Sequence, residues 1–320
     1  MFEAVPGALI VALLLAVTPA FLRWWWGRSL VALADDPALP ERVTALNRRV
    51  GVLSGACGGL VIVGWPSFTF ATLALLIVAQ LVARFPLRKI LYQETWTLSA
   101  YLAFFLRLIL GVYGLAIALV TATWLVSRAG RFDWVAAAGV AIALAVWHWY
   151  SDVILRKLVS ARPITDAALL ERFNALASAS SAPQPRFEYV PMHGGVLANA
   201  VAVPSLRRSA VLFTETLLSR FSTEETVAVC AHEIAHLEYY NHSRLMRRAL
   251  AIYVLIAVTA AIAPINRMVL GAGGTMAFWI WPFVLFAGLI LRARRRQQNE
   301  TASDIRAVAL TGDPEGLSAR

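Results

Sequence analysis

The chain has 320 residues, of which 59% are hydrophobic and 15% charged, and its mean hydropathy is +0.65. That balance excludes an ordinary soluble domain and indicates an integral membrane protein. The net charge of +10 does not imply nucleic acid: the basic residues fall mainly between apolar runs, which suits an anionic lipid leaflet, and no basic tail or aromatic-interleaved motif appears. Arginine supplies 27 of the 29 basic residues, a bias that hints at a GC-rich bacterial genome. Cys57 lies in an apolar run and Cys230 in the motif region. Neither forms a C-x-x-C pair, so both read as packing residues.

The first apolar run covers residues 6 to 22. Only Glu3 precedes it, while Arg23, Arg28, Arg42, Arg48 and Arg49 follow. This reads as an uncleaved anchor with its N-terminus outside. Residues 50 to 83 are too long for one crossing of ~20 residues. Gly64-Trp65-Pro66-Ser67 at their middle offers a tight turn, which predicts a helical hairpin. A fourth span is expected near 98 to 126, with Arg107 snorkelling near its cytoplasmic end. The fifth is expected over about 134 to 150, with His148 beside Trp147 and Trp149 at the membrane interface.

From Ser151 to Arg248 the composition becomes that of a soluble insert. A helix is expected over 165 to 178, then a Ser/Ala/Pro linker. Strand-like pieces follow at 186 to 190, 196 to 203 and 209 to 214. Ser222-Thr223-Glu224-Glu225 predicts a helix start, with Ser222 as N-cap and Glu225 closing a capping box. Two further apolar runs, about 249 to 263 and 275 to 291, end at an arginine cluster, and a last helical piece starts near Gln297. The first of these is short for a crossing unless the preceding helix runs into it. Seven spans with the N-terminus outside leave Arg128, Arg131 and Arg267 in external loops and Arg107 within a span. The other 25 Lys and Arg residues lie on one side, which the positive-inside rule makes cytoplasmic.

The insert's helix carries His232-Glu233-Ile234-Ala235-His236, an H-E-x-x-H motif. At ~100° per residue, positions i and i+4 face one point, so both imidazoles can bind one zinc ion. Glu233, on the same turn, can take a proton from an activated water. A catalytic zinc site needs a third protein ligand. His242 has the spacing of the H-E-x-x-H-x-x-G-x-x-H proteases, but Tyr239 stands where those need glycine. On a continuous helix His242 would lie ~240° from His236, out of reach. Glu300 is the other candidate; with Asp304 it places two carboxylates on one helical face, one for the metal and one to orient a histidine. Read alone, that pair is better explained as a polar helix start after an arginine cluster.

The chain resembles the integral-membrane zinc metalloproteases that include the type I CaaX prenyl protease and the heat-shock protease HtpX. The resemblance rests on Phe221-Ser222-Thr223-Glu224-Glu225 leading through Ala228-Val229 into the motif. It rests also on Gln297-Gln298-Asn299-Glu300 with Ser303-Asp304 and Ala307, on Leu310-Thr311-Gly312-Asp313-Pro314, and on Asn199-Ala200 upstream. These motifs cover roughly residues 160 to 315 and, as an ordered set, are specific. Five leading spans look more like the prenyl protease branch. The resemblance implies that His232, His236 and Glu300 bind Zn2+ and that Glu233 is the general base. It implies that Asp304 supports a ligand or donates a proton, and that Asn199 and Ala200 pair with the substrate backbone. Ser303 stands where relatives have alanine, and Asn241 where they often have aspartate.

The expected fold is therefore membrane α-helical, with about seven transmembrane helices and an α+β zincin-like metalloprotease insert on the cytoplasmic side. Residues 1–150 form the N-terminal membrane region, 151–248 the insert, 249–291 two spans, and 292–320 the helix with the third ligand. The expected function is zinc-dependent endopeptidase action on membrane-associated or misfolded proteins, multi-pass in a cell inner membrane, with peptide or protein substrate and the bilayer as partners and no nucleic acid. The competing reading is a membrane signalling receptor or pseudoprotease. Its motive is that relatives continue beyond the position of Arg320 with candidates for oxyanion stabilisation, for which His193 is a weak substitute. A transporter with an incidental motif is the third reading.

Overall fold

A computed structural model of the protein describes residues 5–31, 36, 38–64, 69–270 and 300–311. The expected turn at 65 to 67 and the span at 275 to 291 lie outside the described residues. Five described helical stretches are long and apolar enough to cross a membrane: Leu9–Val31, Ala71–Leu91, Leu98–Leu119, Gly130–Trp149 and His242–Ile262. The protein is mostly helical, and these stretches carry the multi-pass character read from composition. The chain divides into two compact units, Met1–Leu106 with His193–Val196, and Arg107–Met192 with Leu197–Arg320.

In the first unit, α1 (Val5–Val31), α2 (Leu39–Gly64) and α3 (Thr69–Leu91) pack together, and the start of α4 (Leu98–Ser127) belongs with them. The expected end of the first span at residue 22 is corrected. Arg23 is buried and does not mark an aqueous boundary. Its guanidinium donates to Gln80 Oε1 and Asn47 Oδ1, both at 2.7 Å. With those donors satisfied, the helix continues through Trp24–Trp26 to Val31. Arg107 is exposed.

Glu94 organises the second end of this unit. It is buried, forms a bidentate ion pair with Arg88, and accepts from Trp96 Nε1 at 2.9 Å and the Val196 N–H at 3.1 Å. Arg88 in turn donates to the Val196 carbonyl at 2.9 Å, so a charged pair holds the 193–196 segment by both its backbone groups. Gly194 has φ +95, and a Cβ there would lie 2.5 Å from Thr95 Oγ1 and 2.9 Å from the Trp96 nitrogen. Only glycine fits that close approach.

In the second unit, the rest of α4 packs with α5 (Asp133–Trp149) and α10 (His242–Leu270) around Leu119, Ala122, Leu144 and Ile256. His148 lies on α5, edge-on to Tyr253 with ring centroids 5.2 Å apart. The short α6 (Ser151–Leu158), which carried no clear sequence signal, connects to the insert. Its Arg156 forms a bidentate ion pair with Glu188.

The insert holds four strands in the order β1-β2-β4-β3. These are β1 (Arg162–Pro163), β2 (Arg186–Val190), β3 (Ala200–Val203) and β4 (Ala210–Thr214). β2 and β4 run parallel, and β1 and β3 join them antiparallel. The expected strand at 196 to 203 is shortened because its first part is not paired; Val196 instead bonds Glu94, and Asn199 leads into the ladder. α7 (Ala167–Ala179), capped by Asp166, lays Phe173 against Phe187 and stacks it on Phe213, with ring centroids 5.0 Å apart in the latter pair. α8 (Glu215–Arg220) follows β4. α9 (Thr223–Tyr239) lies against α7 and the sheet, and nearly every residue from Thr226 to Leu237 is buried. α11 covers 300–311 and places Ala307 in the same core.

The N-terminus of α9 has the expected capping box, with the Ser222 side chain accepting from the Glu225 N–H and Glu225 accepting from the Ser222 N–H. Removing the cap with Ser222→Ala should cost ~1 kcal/mol. A lowered thermal unfolding midpoint of the detergent-purified chain would show this.

Candidate metal centre

α9 reaches its site as a buried helix, which limits the rotamers of its motif residues. His232 and Glu233 are buried and His236 is half-buried. The two imidazoles meet at 83° with centroids 4.7 Å apart, which turns their Nε2 atoms towards each other at 3.0 Å. Glu300, in the first turn of α11, brings Oε2 to 3.5 Å from His232 Nε2 and 3.4 Å from His236 Nε2. These three are the described residues whose ligand atoms could share one metal ion. Tetrahedral zinc with bonds of about 2.0–2.2 Å separates neighbouring ligand atoms by about 3.3–3.6 Å. The observed triangle matches that spacing, with the histidine pair a few tenths of an ångström inside it. The residues fit the ion.

α11 also supports both histidines from behind. Asp304 Oδ1 lies 2.7 Å from His232 Nδ1, and Ser303 Oγ lies 3.0 Å from His236 Nδ1. One turn further, Arg306 makes a two-point ion pair with Glu238 of α9 at 2.7 and 2.9 Å. That pair holds the Glu238 carboxyl below the usual carboxylate range. Glu238 also accepts from the Ser181 N–H at 2.8 Å, so α7's end, α9 and α11 meet at one carboxylate.

Glu233 faces the sheet. Its Oε2 accepts from the Ala202 N–H of β3 at 2.7 Å. β3 is an edge strand, and its ladder with β4 fixes which groups point outwards. Asn199 is tied to Thr214, whose N–H donates to its carbonyl at 2.9 Å and whose hydroxyl accepts from its N–H at 2.9 Å. By alternation, Ala200 and Ala202 turn their backbone groups to the open edge. A cavity of about 670 Å³ lies between that edge and the metal ligands, with residues 198–202, Glu233 and Tyr240 in its walls.

α9 ends at Tyr239 and a new helix begins at His242, so the continuous helix considered for His242 does not exist. His242 still stays outside the ligand cluster. Cys230 is fully buried, with burial pushing its thiol well up, in keeping with a packing role. Ser303, Glu238, Arg306 and Ala202 joined the site without being singled out in the sequence for what they do here. Ser303 had a signal, since i+3 from Glu300 shares its helical face. The Glu238–Arg306 pair spans 68 positions and had none.

Two helical histidines with a carboxylate from a second helix, beside an open strand edge, define a candidate metallopeptidase centre. The comparisons agree on that class: residues 163–319 match the model of Peptidase family M48. The resemblance to the membrane metalloproteases read from the sequence therefore holds over that segment. The chain is similar to the protein named Protease HtpX homolog of Desulforapulum autotrophicum, 27% identical over 183 residues, covering 53% of this chain and 58% of that one. It is similar also to Protease HtpX of Legionella pneumophila, 27% identical over 187 residues, covering 53% of this chain and 63% of that one. The match thus spans less than two thirds of these curated relatives. Among solved structures, the crystal structure of S. mikatae Ste24p has a TM-score of 0.49 at 12% identity, covering 98% of this chain and 90% of that chain.

Proposed function

We propose that the chain is a zinc-dependent, membrane-embedded endopeptidase acting on membrane-associated or misfolded proteins. The observation that carries this reading is the meeting of His232, His236 and Glu300 beside a Glu233 that is anchored to an open strand edge. Bound zinc would supply a Lewis acid that polarises the scissile carbonyl and acidifies the attacking water. His232, His236 and Glu300 would hold the ion. Asp304 Oδ1 faces His232 Nδ1 at 2.7 Å and Ser303 Oγ faces His236 Nδ1 at 3.0 Å, which turns both Nε2 atoms to the metal. With Oε2 of Glu233 held by Ala202, Oε1 takes the proton from the attacking water and returns it to the leaving amine.

A substrate strand laid on β3 would pair with the outward N–H and carbonyl of Ala200 and the carbonyl of Ala202, and Asn199 forms the wall beside them. Main-chain pairing of this kind requires an extended substrate, which misfolded proteins present. The distribution of arginine supports seven spans, an inner-membrane location and a cytoplasmic site on the insert of residues 151–248.

Asp304→Ala should lower zinc affinity ~10–100-fold, the usual cost of losing a histidine's outer partner. Competition against a chelator reads this directly. The function itself is tested by incubating the purified chain with casein and sequencing the fragments. Internal cleavages support the proposal, and an intact substrate beside zinc-loaded protein favours the receptor or pseudoprotease reading.

A further inference from the structure

A second cavity, of about 320 Å³, lies in the same unit as the metal centre and has no role in the chemistry above. At one end its walls are Ala202 and residues 204–206, the continuation of β3; at the other they are α4, α5 and α10. Ala202 and Tyr240 also line the cavity of the metal centre, so the two spaces adjoin. The wall from the three helices is mixed: Val112, Trp147, Ile252 and Tyr253 form its apolar and aromatic part, and His148 and Arg248 add polar groups to it. Leu115, Ile252 and Tyr253 pack in turn on the core of Leu119, Leu144 and Ile256, which gives the cavity a fixed floor. Two groups of opposite sign, Asp152 and Arg248, also line it, so it has no bias towards one charge. Its volume is at the small end of the ~300–1,000 Å³ over which proteins enclose a ligand, which suits one bulky side chain.

We infer that this cavity is a specificity subsite for a large apolar or aromatic side chain of the substrate. The inference rests on the peptidase reading. Glu233 meets β3 at Ala202, so the cleaved bond lies beside that residue. A substrate strand following β3 towards Pro204 advances ~3.3 Å per residue, so it reaches residues 204–206 about two to four residues from the cut. Because the cavity adjoins one end of β3 and not the other, the preference falls on one side of the cleaved bond. Selection comes from apolar burial against Trp147 and Tyr253, where one extra methylene is worth ~10-fold or more in discrimination.

The test is to digest casein with the full-length chain in detergent micelles and to map the cleavage sites by mass spectrometry. The expected result is enrichment of Phe, Trp, Tyr, Leu or Met at one position, about two to four residues from the cut and on one side of it. Val112→Trp, which narrows the cavity from α4, should move that preference to small residues by at least ~10-fold in relative cleavage. Cleavage without such enrichment, enrichment on both sides, or the same preference in V112W overturns the subsite while leaving the peptidase intact. Loss of all casein cleavage by the zinc-loaded wild-type chain overturns both.

Discussion

Glu233→Gln should lower casein cleavage by ~10²–10⁴-fold, the contribution of a positioned general base, while zinc content stays at the wild-type level. Glutamine keeps the shape and still accepts from the Ala202 N–H, so the anchor to β3 survives. It cannot take a proton at neutral pH, which separates the chemical role from the structural one. Glu233 is not one of the three residues of the ligand triangle, and that is why metal binding should be spared. A variant that loses both activity and zinc would mean that Glu233 shapes the metal centre instead.

Glu300→Ala should do the opposite and release the metal. The two histidines come from one buried helix and keep their arrangement without it, but a pair of imidazoles leaves zinc without its third protein ligand. The fall in affinity should exceed the ~10–100-fold that loss of an outer partner costs, so E300A should be weaker than D304A in the same chelator competition. The Glu238–Arg306 pair and Ala307 still dock α11 in this variant, which keeps the comparison free of a displaced helix. Equal zinc content in E300A and wild type would remove Glu300 from the ligand set.

Much of this centre was legible because its signals are local. The i, i+4 spacing of His232 and His236, the box of Ser222 with Glu225, and the shared face of Glu300 and Asp304 all follow from helical geometry within one turn or so. Short strand-like runs likewise located β2 and β4 to within a residue. The long-range partners left no such trace. Nothing near Arg23 announces Gln80 and Asn47, so the arginine read as the end of a span when it is a satisfied buried group. Nothing near Val196 announces Arg88 and Glu94, so that segment read as strand. The break between α9 and α10 fell at Tyr240-Asn241, without the glycine or proline that usually marks a helix end. The anchoring of Glu233 depends on the register of β3 against β4, which is settled by pairing across the sheet and not by the motif.

If zinc held by His232, His236 and Glu300 drives peptide hydrolysis, cleavage follows the metal. Casein cleavage by the purified chain is therefore measured through removal and return of zinc. A strong chelator should abolish cleavage, and stoichiometric zinc should restore it in the wild type but not in E300A. Cleavage that persists after the zinc has been stripped would contradict zinc-driven hydrolysis.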